Sequence, residues 1–179
     1  REIQDKLVVP KNQLIELTKG SLTLGNLIVE PFAVSHDAAD PIGINVFSGK
    51  DKATVVTDTG IISDDILHRI DDSTLLVLEA NYDPHMLRFG PYQPFLKQRV
   101  ASDEGHLSNE MAAQALLMMK RPDFMQVILA HRSENNNNAV LVTQTIGKML
   151  VDGGVRIGPE MKLQHGQPNE IVSMQSIKR

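Results

Sequence analysis

Apolar residues fall along this chain in short runs whose period changes near its first third. Ile15 and Leu17, then Leu22 and Leu24, alternate with polar neighbours around Gly20 and Gly25, the pattern of half-buried strands joined by tight turns. A longer run from Asn26 to Val34 and another from Ile44 to Phe47, separated by Pro41-Ile42-Gly43, extend this β-rich part. Beyond it the rhythm becomes strand followed by helix. Ala53–Val56 reads as a strand, Ser63–Ile70 as a helix and Thr74–Leu78 as a strand. Ser108 or Asn109 suits the cap of a helix running to Met119, with Met111, Ala112, Ala115, Leu116 and Met119 at helical spacing. Val127–Ala130 reads as a buried strand. The amphipathic segment Ala139–Val151 predicts a helix stopped by Gly153-Gly154, and Met161–Leu163 and Ile171–Ile177 predict two weak strands. No internal repeat or linker interrupts the series, so the expectation is a single domain over residues 1–179.

Four of these runs end on a residue able to bind a metal or move a proton: Val34-Ser35-His36, Val56-Thr57-Asp58, Leu78-Glu79 and Leu129-Ala130-His131. In sheets covered by helices the strand ends and the loops after them converge on one edge, where such folds place their sites. Asp58, in Thr57-Asp58-Thr59-Gly60, sits at a sharp strand-to-helix turn from which both oxygens can reach outward and bridge two cations. It equally suits an Asx-turn at the start of the helix. His106 lies just ahead of a helix. There a partner carboxylate such as Glu79 would favour the imidazolium needed to protonate a leaving oxygen; a histidine packed at the cap is the plainer alternative. His68, inside a helix, and His165, in a Gly/Pro-flanked turn, read as surface residues, and His85 is ambiguous.

Composition narrows the chemistry. The chain has 179 residues, 41% hydrophobic and 22% charged, with a net charge of −4, so any polyanion must be held by local cations rather than by a global field. It has no cysteine, which leaves histidine and carboxylate as the strong metal ligands. No apolar run approaches membrane-spanning length and no leader pattern opens the chain, which makes the cytoplasm the simplest expectation. The chain starts at Arg1 and enters structured-looking sequence at once, the mark of a cut piece. Between Tyr82 and Arg99 lie four of its seven aromatic residues, Tyr82, Phe89, Tyr92 and Phe95, among Arg88, Lys97 and Arg99. Rings there can stack bases while cations hold phosphates, with Arg88, Tyr92, Lys97 and Arg99 the candidate substrate contacts. A helical hairpin with buried rings and a solvated basic face is the competing reading. Asn135–Asn138 reads as a loop ending in an N-cap.

Taken together, Ser35-His36-Asp37-Ala38-Ala39-Asp40-Pro41, Thr57-Asp58-Thr59-Gly60, Leu78-Glu79-Ala80-Asn81-Tyr82-Asp83, Gly105-His106-Leu107-Ser108-Asn109 and Ala130-His131-Arg132-Ser133 resemble the metallo-β-lactamase-fold hydrolases, and within them the YycJ or WalJ branch. The resemblance runs over almost the whole chain, in order. It implies an α/β (α+β) fold of the αββα sandwich type, with His36, Asp58 and His131 as metal ligands and Asp58 as the bridging one. Glu79 and His106 are similar in position to the pair that protonates the leaving group in phosphodiesterase members. It also implies exonuclease-like action on DNA with two zinc, manganese or iron ions. Two departures stand out. Arg132 occupies a position that is usually apolar in the branch, and the family's His-x-His-x-Asp-His signature appears nowhere in this sequence. The expectation is therefore a sandwich and a metal site without their first parts, in a chain inactive alone. Hydrolysis of an ester, thioester or lactam, and a non-catalytic fragment, are the alternatives; a homo-oligomer is compatible with either.

Overall fold

A computed structural model describes residues 20–167 together with Pro10, Leu17, Ile171 and Val172. Within them the chain builds one seven-stranded sheet whose spatial order is its sequence order. The strands are β1 (Leu22–Leu24), β2 (Leu27–Ala33), β3 (Ile42–Ser48), β4 (Asp51–Val56), β5 (Leu75–Glu79), β6 (Met125–Ala130) and β7 (Met161–His165). The first four pair antiparallel; β4 with β5, β5 with β6 and β6 with β7 pair parallel. The change follows the connections. Tight turns such as Gly25 and Gly49, both at φ +59°, return the chain antiparallel, whereas parallel neighbours need crossovers carrying helices.

Those helices are α1 (Asp64–Ile70), α2 (Pro84–Phe89), α3 (Pro94–Val100), α4 (Asn109–Met118) and α5 (Ala139–Asp152). Side chains cap four of them: Ser63, Asp83, Ser108 and Asn138 each accept a hydrogen bond from a first-turn N–H. The Ser108 and Asn138 caps match the sequence reading, and the stretch before Val100 folds as two short helices. No described helix is long and apolar enough to cross a membrane.

The two faces of the sheet differ. Val56, Leu76, Leu78, Val127, Leu129 and Met161 point to one side, in register across β4 to β7, and share a core with Ile66 and Ile70 of α1, Ala112 and Leu116 of α4, and Ile146 and Leu150 of α5. Each of these strand residues is essentially shut from solvent. The alternate residues point the other way. Val46, Ala53, Leu75, Val77 and Ile128 are only half-buried, and Ile42 and Val55 are 46% and 39% exposed.

Three expectations change. The Asn26–Val34 run is shorter, because Asn26 and Gly25 form the β1–β2 turn. His165 is not in a surface turn: it closes β7, with Nε2 2.9 Å from Thr143 Oγ1 and Nδ1 buried. Its position one strand beyond Leu129, in a parallel register that its own neighbours do not reveal, accounts for this. At the two ends, Leu17, Ile171 and Val172 are not in strands, and Ile15 and the rest of the Ile171–Ile177 segment lie outside the described residues.

Candidate metal centre

Five predicted residues meet at one end of the parallel half of the sheet. Asp58 follows β4 by two residues, Glu79 ends β5 and His131 follows β6; since Val56, Leu78 and Leu129 are neighbours in the parallel ladder, the three side chains leave adjacent strands at one level. His36 follows β2, and His106 lies between α3 and α4.

The local backbone is shaped for this edge. Asp58 and His131 adopt φ of +56° and +51°, left-handed values that carry a steric cost for residues with a Cβ and that concentrate at functional turns. Gly60 and Gly105 let the loops close over them: a Cβ on Gly60 would strike the backbone of Ser102 and Asp103, and one on Gly105 that of Arg99 and Val100. Thr59 Oγ1 accepts the Ser35 N–H and donates to the Ile61 carbonyl, while the Gly60 N–H donates to Ser35 O. The Asp37 N–H donates to Glu104 O, and Asn81 Nδ2 donates to the His131 carbonyl. The loops after β2 and β4 and the one between α3 and α4 are thus tied to one another, and the loops after β5 and β6 likewise, around the cluster.

Each flanking histidine has one ring nitrogen fixed from behind. His36 Nδ1 lies 3.0 Å from the Gly105 carbonyl, which can only accept, so Nδ1 carries the proton and Nε2 presents a lone pair. His131 Nδ1 lies 2.9 Å from Glu79 Oε1, with the same consequence. Both Nε2 atoms then face one oxygen: Asp58 Oδ1 is 3.8 Å from His36 Nε2 and 3.6 Å from His131 Nε2. Two imidazole lone pairs turned toward one carboxylate, each held by a hydrogen bond on its far nitrogen, are what a borderline divalent cation uses in proteins. His36, Asp58 and His106 form one group whose donor atoms lie within 4.8 Å of one another, and Glu79, His106 and His131 a second.

Glu79 is fully buried. Its Oε1 contacts both His131 and, at 2.7 Å, His106 Nδ1, and its Oε2 accepts the Thr59 N–H at 3.1 Å. His106 Nδ1 is buried and, despite this short approach, makes no hydrogen bond with acceptable geometry among the described residues. Burial pushes the Glu79 carboxyl upward, but the two histidines and the Thr59 N–H outweigh it and hold it below its ordinary value. The Glu79 hydrogen bond, against opposing burial and with help from the charge of Asp58, raises His131. The link from Glu79 to His131 was missing from the sequence reading, which paired Glu79 with His106 alone.

The four aromatic and basic candidates separate. Tyr92 and Arg99 line a cavity of about 330 Å³ together with His106 and His131. Arg88 and Lys97 line another, of about 370 Å³, beside Tyr82 and Leu87. Arg99 makes a two-point ion pair with Asp37 through Nε and Nη2, and Lys97 Nζ donates to the Arg88 carbonyl. Of the rings, Tyr82 is buried, whereas Phe89 and Phe95 are 66% and 71% exposed, so the stretch is neither a closed hairpin core nor a uniform binding face.

Known proteins are similar to this chain in sequence and in fold. The chain is 32% identical over 170 residues to the exodeoxyribonuclease YycJ of Bacillus anthracis, covering 94% of this chain and 64% of that protein. It is 32% identical over 155 residues to the exodeoxyribonuclease WalJ of Streptococcus pneumoniae, covering 87% and 58%. It therefore spans about three fifths of the length of these relatives. In three dimensions it is similar to the metallo-beta-lactamase fold protein YhfI of Bacillus subtilis, with a TM-score of 0.56 and 14% identity over 80% of this chain and 49% of that one. It is similar also to Zn(2+)-bound PqqB of Methylobacterium extorquens, with a TM-score of 0.56 and 17% identity over 86% and 50%. The beta-lactamase superfamily domain matches residues 2–131, a span that closes on the last of the clustered histidines, and the chain belongs to that superfamily.

Proposed function

We propose that the protein is a divalent-metal-dependent phosphodiesterase that degrades DNA from an end. The observation that carries the reading is Asp58 Oδ1 set between the Nε2 atoms of His36 and His131, with Glu79 behind it joining His131 to His106. That the relatives YycJ and WalJ are exodeoxyribonucleases supports DNA as the substrate. Because the chain spans only part of those relatives, the proposal concerns the whole protein.

In this reading His36, Asp58 and His131 would hold divalent ions of zinc, manganese or iron. Nitrogen and carboxylate donors with no thiolate fit that set of metals. When bound, such ions polarise a phosphoryl oxygen and acidify a water. The protein's own groups do the rest. Glu79, from a buried setting, fixes the tautomer of His131. His106, beside the same carboxylate and partly open to the cavity, donates the proton to the leaving oxygen. Tyr92 and Arg99 at that cavity, and Arg88 and Lys97 beyond it, guide the strand.

The test is cleavage of 5′-phosphorylated duplex DNA by the intact protein with manganese. Loss of a general acid costs about 10²–10⁴-fold in rate, so His106→Ala is expected to fall by that order. Asp58→Asn is expected to lose both metal and turnover. Cleavage undiminished in both variants would remove the mechanism.

A further inference from the structure

On the reading that this site acts on DNA, we propose that Arg132 holds a second phosphate of the bound strand, next to the one engaged at the histidine cluster. Arg132 follows His131 directly, off the end of β6. It lines the cavity of about 330 Å³ that contains His106 and His131, and also an adjoining one of about 610 Å³ bounded by His131, Asn137, Ala139 and Gly166. Its guanidinium nitrogen Nη1 is shut from solvent and has no hydrogen-bond acceptor among the described residues. Glu134 lines both cavities too, but it is exposed and forms no ion pair with Arg132 among the described residues.

A guanidinium cannot shed its charge, and a buried N–H donor without an acceptor is unfavourable, so this side chain is poised for an anion that offers paired oxygens. The competing cations are engaged elsewhere. Arg99, the other cation at the histidine cavity, is held by Asp37 through two nitrogens, and Lys97 is turned to the Arg88 carbonyl. The rest of the site edge is acidic, with Asp37, Asp58 and Glu79 within one cluster of contacts. In a chain of net charge −4, an arginine beside His131 whose Nη1 has no partner among the described residues is therefore the group suited to a strand phosphate. The occupant is a phosphate of DNA, internal or 5′-terminal.

The experiment is equilibrium binding of short 3′-labelled single-stranded DNA to the intact protein carrying His106→Ala, with manganese present, across a salt series. Each measurement is paired between 5′-phosphorylated and 5′-hydroxyl strands. Adding Arg132→Gln is expected to weaken binding at low salt and to make the plot of log affinity against log salt shallower by about 0.7, the value for one phosphate contact on a single strand. Arg132→Lys is expected to restore the slope but not the full affinity, because it keeps the charge and loses the fork; this variant also carries the test should glutamine disturb folding. A loss confined to 5′-phosphorylated DNA assigns the terminal phosphate, and an equal loss on both strands an internal one. Unchanged affinity and slope in Arg132→Gln, with the parent still binding, would overturn the assignment while leaving the DNA reading intact. A parent that binds no DNA would overturn both.

Discussion

The covered and open faces of the sheet are written by the same strands, yet they obey different demands. Along β5, Leu76 and Leu78 have no exposure, while Leu75 and Val77, which alternate with them, are half-buried. On β4, Val56 is shut from water and Val55 is 39% exposed. Parallel strands are ordinarily buried on both sides and read as continuous apolar runs rather than as alternation. β5 and β6 read that way, so the aliphatic character of the open side reflects strand type rather than the cover these residues have. Glu79 continues the Leu75–Val77 row and is nonetheless fully buried, because the loops carrying Thr59, His106 and His131 close over it. Among the described residues the open face is therefore closed where the candidate chemistry lies and more exposed behind it, at Val55 and Ile42.

Substitutions along β5 sharpen this contrast. Leu78→Ala is expected to give the largest effect, about 2–5 kcal/mol, since the leucine is fully buried among helix side chains. Denaturant unfolding measures it, and a loss no greater than that at Val77 would erase the distinction between faces. Glu79→Gln comes next and acts through pH. His131 lies above its ordinary value of 6.5 because of Glu79, so its share of stability is whole below 6.5 and is lost as pH climbs through the raised value. Glu79 lies below its ordinary 4.5, so its share is present above 4.5 and is lost as pH falls through the lowered value. Metal-free protein should gain most from the pair between those two ordinary values. Thermal melts across that range should show a maximum in the parent and a flattened profile in Glu79→Gln; identical profiles would remove the coupling.

Val77→Ala, on the open side, is expected to cost about 1 kcal/mol, the usual centre for point substitutions. Val55→Thr should be smallest, within about 0.5 kcal/mol as for surface sites, and its useful readout is binding of an apolar dye. A drop in dye fluorescence without a change in unfolding midpoint marks Val55 as part of the exposed patch. An unchanged signal places the dye elsewhere.

What the chain disclosed in advance follows the range of the interactions involved. The strand ends at His36, Asp58, Glu79 and His131 were legible because each is a local event, an apolar run meeting a polar residue, and the caps at Ser108 and Asn138 are local too. The hydrogen bond from His131 to Glu79 spans 52 positions and depends on β5 and β6 being parallel neighbours in one register, which neither strand states by itself. Arg99 looked available from its surroundings in sequence; its partner Asp37 lies 62 positions away. The same distance effect split Arg88 and Lys97 from Tyr92 and Arg99 and moved His165 out of a turn and into the sheet.

The parallel ladder joining Val56, Leu78 and Leu129 also fixes how this centre can fail. Its acidic and imidazole groups are spaced by the repeat between adjacent strands, about 4.8 Å, a length that no side-chain replacement can stretch. A slip of one residue between β5 and β6 would turn Glu79 and His131 to opposite sides. Opening of the parallel ladder on heating should consequently separate Asp58, Glu79 and His131 together.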